Sequence, residues 1–169
     1  MKKYIRIFII MIITLSSCKG KEKIGFNDRD KLNLQVAEKI VSCINSKDVE
    51  GLYSLFSEDV RTNDKTLKND ISKIFDYLNG KIDSYEKWAV ASTTDIEKSK
   101  NSTNYESKYK IKVNNVLYYM YYDNTVKNDF DNDKVGLYFL KIFKVEDKDK
   151  YFCYWEDINP GIFLPDEAK

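Results

Sequence analysis

The chain has 169 residues, of which 43% are hydrophobic and 14% aromatic, and this is enough apolar material for the core of one domain. Its formal net charge is only +1 and its lysines are interspersed with acids, so the composition gives no support for a nucleic-acid-binding protein. Histidine is absent, which excludes the commonest general base and metal ligand and every Ser-His-Asp or Cys-His catalytic arrangement.

The first eighteen residues have the features of a bacterial lipoprotein leader. A positively charged segment is followed by an apolar run over residues 7–15 and by Leu-Ser-Ser-Cys, which ends at Cys18. The apolar run is about half the roughly 20 residues that a membrane-spanning helix needs. The sequence therefore predicts a signal peptide over residues 1–17 and a lipid on Cys18 that holds the mature protein on the extracytoplasmic face of the cell membrane. An ordinary secretory signal with an incidental Cys18 is the alternative.

Residues 18–28 are polar and charged and are predicted to be a tether between the lipid and a domain over residues 29–165. The domain begins with three predicted amphipathic helices. Apolar residues recur every four positions in the first, Asp48 caps the second, and the third follows Thr66 and ends at Asn79 and Gly80.

After Gly80 the hydrophobic period changes to that of strands. Five strands are predicted, at Tyr85–Ile96, Tyr105–Val113, Val116–Tyr122, Val135–Val145 and Tyr151–Trp155. The polar segments Asp123–Lys134 and Glu146–Lys150 are interpreted as loops, and Pro160 and Pro165 are expected to prevent further regular structure. The order predicts an α+β fold in which three N-terminal helices pack on a curved antiparallel sheet.

Residues 48–60 read D-V-E-G-L-Y-S-L-F-S-E-D-V and resemble a motif of the nuclear transport factor 2-like (cystatin-like, SnoaL-like) superfamily. With the lipoprotein leader and the Pro-Gly-Ile-Phe-Leu-Pro segment, the chain also resembles a family of Gram-positive bacterial lipoproteins of uncharacterised function. The resemblance implies a cone-shaped domain, often dimeric through its sheet, with a pocket between sheet and helices. That fold hosts enzymes, binding proteins and scaffolds, so it implies no single function.

Carboxylates are the remaining catalytic material. Four aspartates (Asp123, Asp129, Asp131 and Asp133) resemble a calcium loop in spacing, but the glycine and the terminal glutamate of an EF-hand are missing, and a solvated hairpin loop is the simpler interpretation. Acids at predicted strand ends are candidates for a proton-transfer base in a pocket, and these are Asp95, Glu97, Glu156 and Asp157. No metal site or cofactor is predicted.

Aromatic side chains on the predicted sheet are the candidate ligand-binding residues. Tyr109, Tyr119, Tyr121 and Trp155 are proposed to line a concave surface that suits an apolar or sugar-like ligand. The alternative is that these residues form the core and a dimer interface.

The function predicted from the sequence is a non-enzymatic binding or scaffold domain on a membrane-anchored lipoprotein. The alternative is a SnoaL-like enzyme that uses a pocket carboxylate on a small apolar ligand. A homodimer through the outer face of the sheet is expected, unless residues 160–165 cover that face.

Cys43 and Cys153 are expected to be unpaired, with a disulfide between them as the alternative.

Overall fold

Four helices precede the sheet in the computed structural model, which describes residues 26–151 and 159–165. They are α1 (Phe26–Ser46), α2 (Val49–Leu55), α3 (Glu58–Asn63) and α4 (Leu67–Leu78). The predicted α+β class and the order of helices before strands are confirmed. The described residues form four helices before the sheet rather than three, because α3 has only six residues and is too short to show a helical period.

Backbone contacts divide the chain into two units, residues 1–32 and 33–169. Of the first unit, only the beginning of α1 belongs to the described residues. No helix among the described residues is long and apolar enough to span a membrane.

The short helices are fixed by their capping residues. The Asp48 carboxylate accepts a hydrogen bond of 2.8 Å from the Gly51 amide at the start of α2, as the sequence predicted. The Ser57 hydroxyl caps α3 by accepting from the Val60 amide at 3.4 Å. Asn79 takes a left-handed conformation with φ of 43° and ends α4, which confirms the predicted stop signal.

Gly51 lies inside α2 because any side chain at this position would collide with the Asp48 carboxylate that caps the helix. A Cβ atom at this position would overlap the Asp48 carboxylate and would lie 3.1 Å from the Cys43 sulfur. Glycine costs a helix about 1 kcal/mol relative to alanine. The space that it leaves is occupied by the carboxylate that satisfies the first turn of α2.

Within the described part of the chain, the sheet has five strands in sequence order: β1 (Ile82–Glu97), β2 (Lys100–Val113), β3 (Val116–Asn128), β4 (Gly136–Lys144) and β5 (Gly161–Phe163). The first four pair antiparallel, and Asn114 and Asn115, both with positive φ, form the predicted turn between β2 and β3.

The prediction of a wholly antiparallel sheet is wrong at β5, which pairs parallel to β4. The expectation that the proline-flanked segment has no regular structure is also wrong. Pro160 and Pro165 lie outside the three paired residues, so neither removes a hydrogen bond from this edge strand. Tyr151, predicted to begin a strand, lies instead in a short helical turn, α5 (Lys148–Tyr151), and residues 152–155 are outside the described part of the chain.

Both faces of β3 and β4 are covered by side chains. On one face, a large cluster joins Met120, Tyr122 and Ile142 to buried residues of all four helices, among them Ile40. On the other face, a smaller cluster contains Tyr119, Tyr121, Phe139 and Phe143, with Val145 and Tyr151 packed against it. We call these the inner cluster and the outer cluster. All four aromatic residues of the outer cluster are buried within a single chain.

Two asparagines of α1 bond the helix to the sheet. The Asn33 side-chain oxygen accepts from the hydroxyls of Tyr122 at 2.6 Å and of Ser107 at 2.7 Å, and all three residues are buried. The Asn45 side chain accepts from the backbone N–H of Ile82 and donates to its carbonyl, at 2.7 and 3.2 Å. Hydrogen bonds are directional, so these contacts fix the rotation of α1 about its own axis. Apolar packing is non-directional and does not fix it alone.

We expect Gly51→Ala to bring no stabilisation, although alanine is the better helix former. The new methyl group displaces the Asp48 carboxylate, so a gain of about 1 kcal/mol in helix propensity is offset by the loss of a cap of similar value. In an Asp48→Ala background the same substitution should stabilise the protein by about 1 kcal/mol. Urea denaturation of the four proteins of this cycle measures the coupling. An equal gain from Gly51→Ala in both backgrounds would contradict the steric explanation.

Candidate functional site

An open cavity of about 220 Å³ lies where the register of β2, β3 and β4 is irregular. The pairing of β2 with β3 shifts between Thr103 and Asn104, and the pairing of β3 with β4 shifts between Asp123 and Asn124. Such shifts bend strands and redirect side chains, and they are frequent beside functional sites. The lining residues are mostly polar: Ser57, Asp59, Asn104, Asp123, Thr125, Asn128, Lys134 and Tyr138. We call this cavity the Asp123 pocket.

Asp123 has the most strongly perturbed carboxyl group of the pocket. Its pKa is raised from 3.8 to about 6, and burial is the main cause. A hydrogen bond from the Asn104 side chain lowers the pKa, and the negative charge of Glu106, its pairing partner on β2, raises it. The Asp123 Oδ1 atom is buried and accepts no hydrogen bond from the described residues. At neutral pH the pocket therefore holds an ionised carboxylate with an unused acceptor oxygen.

Asn104 presents a second unused acceptor. Its Oδ1 atom is buried and has no hydrogen-bond partner among the described residues. A buried acceptor without a donor costs free energy, about 1–3 kcal/mol, unless water or a ligand supplies the donor. Two side chains that line the pocket, Asn104 and Asp123, therefore each have a buried oxygen that receives no hydrogen bond from the described residues.

The junction of α2 and α3 forms one wall of the pocket, which we call the helical wall. The first residues of β4 hold it in place. The Ser57 amide donates to the Leu137 carbonyl at 3.0 Å, and Phe56 and Leu137 form a parallel bridge. Gly136, with φ of +124°, permits this contact, since a Cβ atom there would lie 2.7 Å from the Ser57 nitrogen and 2.9 Å from the Leu55 oxygen. The end of α2 and the start of α3 are thereby fixed beside Tyr138.

The remaining wall is a loop that its own side chains organise. The Asn128 oxygen accepts from the amides of Phe130 and Asp131, both at 3.0 Å. Asp131 in turn accepts from the Asp133 amide at 3.2 Å and pairs with Lys134 at 3.5 Å. These contacts place Lys134 at the pocket.

The four aspartates considered for a calcium loop do not converge. Asp129 pairs with Lys127 at 3.0 Å and accepts from the Asn101 amide, Asp131 pairs with Lys134, and Asp123 lies in the pocket. Among the described residues, no group of three or more histidine, cysteine or acidic side chains is placed to hold a metal ion.

The other acids considered as bases lie elsewhere. Asp95 and Glu97 are exposed on the outer part of β1, and Glu97 approaches Lys98 at 3.6 Å. Glu156 and Asp157 are outside the described residues.

The four aromatic residues proposed to bind a ligand do not form one site. Tyr109 belongs to the inner cluster, where its ring stacks with Tyr122 at 6.0 Å. Tyr119 and Tyr121 belong to the outer cluster, and Trp88 stacks on Tyr119 at 4.9 Å. The sheet separates the two groups, so the single concave surface is wrong for these three residues. Trp155 lies outside the described residues.

Cys43 has a free thiol, as we expected. Burial, followed by the negative charge of Asp48, raises the pKa of this thiol, so it is not activated as a nucleophile. Cys153 and Cys18 are outside the part of the chain that the structure describes.

Sequence reasoning missed the Asp123 pocket because it placed the end of a strand at Tyr122. The structure continues β3 to Asn128. The signal was present: Tyr119, Tyr121 and Asp123 follow one another at the period of two that puts side chains on the same face of a strand.

The α+β domain with this pocket matches a known family. Residues 39–146 match the family described as a domain of unknown function, DUF5104, and the chain therefore belongs to that family. The match extends from α1 past β4 and includes every residue that lines the Asp123 pocket. No curated protein matches the sequence.

We expect Asp123→Asn to change the pH dependence of stability. Between about pH 4 and 6 the folded protein retains a proton on Asp123 that the unfolded chain has released, so the free energy of unfolding falls as pH rises. Asparagine does not titrate, so this decline should be absent. At about pH 7.5 the variant should be more stable by about 1–2 kcal/mol, less than the full shift implies because the carboxyl is partly solvated.

Chemical denaturation at about pH 4 and pH 7.5 measures this difference. Asp133→Asn, an exposed position on the neighbouring loop, is the matched control and should have no such effect. A stability difference between Asp123→Asn and the wild type that is the same at both pH values would contradict the assigned shift.

Proposed function

We propose that the protein is a lipoprotein, held through a lipid on Cys18 at the extracytoplasmic face of the cell membrane, with a non-enzymatic binding module of the nuclear transport factor 2-like type. The charged segment, short apolar run and Leu-Ser-Ser-Cys support the anchor. The order of helices before a sheet supports the fold family.

The motif over residues 48–60 also supports the fold family, because most of the positions that it fixes have a structural role. Asp48 and Ser57 cap α2 and α3, and Leu52, Phe56 and Val60 are buried in the inner cluster. These residues set the junction that forms one wall of the Asp123 pocket. The motif therefore specifies the arrangement of two short helices.

The Asp123 pocket is the observation that favours binding over a purely structural scaffold. It is open, its lining is polar, and two of its acceptor oxygens have no donor among the described residues. A surface that served only as packing would satisfy such groups internally. The described aromatic residues that the sequence suggested as ligand-binding, Tyr109, Tyr119 and Tyr121, do not serve this purpose, since they are divided between two buried clusters.

An enzyme that uses a pocket carboxylate stays the second candidate, and one observation favours it. A carboxyl group with a pKa of about 6 is suited to accept a proton at neutral pH, and Asp123 has this property in an open cavity. The polar lining does not suit the small apolar ligand that the sequence resemblance suggested. A polar substrate would be required.

Self-association through the sheet remains a proposal. The large apolar patch from which it was inferred is covered within one chain, because Val145 and Tyr151 pack against the outer cluster. A dimer would therefore use the exposed surroundings of that cluster, such as Trp88 and Leu117, which are 43% and 49% exposed.

We expect Cys18→Ser to release the protein from the membrane. Acyl chains contribute about 0.8 kcal/mol for each buried CH₂ group, and the variant has no thiol at position 18 to carry the lipid. Fractionation of bacteria expressing the wild type or Cys18→Ser measures the membrane-bound share, and Cys43→Ser is the control that should stay bound. An unchanged membrane fraction for Cys18→Ser would contradict the anchor.

We expect small polar compounds to bind at the Asp123 pocket and to be released unchanged. The experiment records NMR spectra of the ¹⁵N-labelled, unlipidated Cys18→Ser protein with a mixture of small polar metabolites, and mass spectrometry of the mixture before and after. Shifts at Asn104, Asp123 and Thr125 support a binding module. A compound that is converted by this protein, but not by its Asp123→Asn form, would establish the enzyme. Spectra without a change at the pocket would contradict both.

A further inference from the structure

The unused acceptors of the Asp123 pocket restrict what it can bind. The Oδ1 atoms of Asp123 and Asn104 are both buried, and neither receives a hydrogen bond from the described residues. Once either side chain rotates toward the cavity, a ligand that satisfies its oxygen must offer an N–H or O–H donor. A ligand with only acceptors would leave both oxygens unsatisfied and would add a third unpaired group.

The charge of the pocket adds a second restriction. Asp59 and Asp123 contribute two carboxylates. Lys134, the single cation that the described residues contribute to the lining, approaches Asp131 at 3.5 Å, outside the pocket. Glu106, which pairs with Asp123 between β2 and β3, adds negative charge that Lys108 on the same face of β2 partly offsets. The pocket is therefore electronegative, which favours a cation and disfavours phosphate and carboxylate ligands.

The aromatic residue of the lining suits an organic cation. Tyr138 is 40% exposed, so its ring has a free surface beside the carboxylates. An ammonium group near an aromatic ring gains a cation–π attraction, and alkyl carbons pack on the ring. An inorganic divalent cation would need several oxygen ligands in a fixed geometry, and the described residues place no group of three acidic side chains for it.

We propose that the Asp123 pocket binds small primary ammonium compounds, with the ammonium group donating hydrogen bonds to Asp123 and Asn104 and the carbon chain against Tyr138. This assignment rests on the proposed binding function and names its ligand class. The cavity of about 220 Å³ limits the ligand to a small molecule or to the end of a longer amine.

Binding should weaken in acid, because the ammonium group is recognised by an ionised Asp123. Its carboxyl has a pKa of about 6, so about nine-tenths of it is protonated at pH 5 and little at pH 7.5. The charged groups that face it are Glu106 on β2, Asp59 on α3 and Lys134 after β3, with Lys108 on the same face of β2. We expect the dissociation constant to rise about tenfold from pH 7.5 to pH 5.

The test uses three matched probes on the unlipidated Cys18→Ser protein, followed by ¹⁵N NMR at constant ionic strength. Propylammonium has charge and N–H donors, trimethyl(propyl)ammonium has the same charge without donors, and 1-propanol has a donor without charge. Propylammonium should shift the resonances of Asn104, Asp123 and Thr125 and bind at least fivefold more tightly than either analogue.

Variants identify the group that recognises the probe. Asp123→Asn keeps the shape of the side chain and should weaken propylammonium binding about tenfold or more, whereas Asp133→Asn should leave it unchanged. Asn104→Ala removes the second acceptor and should weaken binding about threefold. Circular dichroism establishes that each variant is folded, and the two pocket variants provide independent evidence if one of them fails to fold.

Three results would overturn the assignment: equal binding of propylammonium and either analogue, shifts confined to residues outside the pocket, or no shift up to about 50 mM probe, a concentration that detects even weak sites. The proposed binding function is judged separately. If the metabolite mixture shifts the pocket resonances while propylammonium does not, the pocket binds another class of ligand and only the ammonium assignment fails. If neither shifts them, both fail.

Discussion

The contact between the first residues of β4 and the junction of α2 and α3 determines where the helical layer lies on the sheet. It consists of the hydrogen bond from the Ser57 amide to Leu137 and a backbone approach that only Gly136 allows. Because Ser57 also caps α3, one residue joins the helix cap to the strand. The same contact holds the junction of α2 and α3 at the cavity that Asp123 lines, beside the irregular register of β3 and β4. The pocket is therefore a product of how the two layers are joined.

Local features of the fold could be read from the sequence, whereas features that depend on distant partners could not. The Asp48 cap, the stop at Asn79 and the alternation of β2 require only neighbouring residues, and the structure confirms each of them. The strand β5 has three residues between two prolines, and it forms because β4 offers a free edge. Residues 123–128 looked like a loop because they are polar, but β2 supplies the pairing partner that makes them a strand. Backbone pairing at long range outweighed composition in both places.

The error over the sheet aromatics has a different cause, since the sequence contained the information to avoid it. A two-residue turn at Asn114 and Asn115 places Val113 opposite Val116, so from Tyr105 to Val113 each odd-numbered residue of β2 lies opposite an even-numbered residue of β3. Tyr109 therefore shares a face with Met120 and lies on the opposite face from Tyr119 and Tyr121. The same alternation places Asp123 on the face of β3 that carries Tyr119 and Tyr121. The burial of Asp123 and its raised pKa could not be predicted in this way, because they depend on the helical wall and on Asn104.

The parallel pairing of β5 with β4 has a consequence for how the protein reaches its native state. Ile162 and Leu164 pack against the inner cluster, which the helices and the first four strands otherwise build from residues far earlier in the chain. Contacts between such distant segments require the closure of a long loop, and they slow folding. Until β5 pairs with β4, one edge of β4 has unpaired backbone groups and part of the inner cluster is exposed to water. During that interval the partly built domain is exposed to proteolysis and to misassociation, and its biogenesis depends on how quickly this last strand arrives.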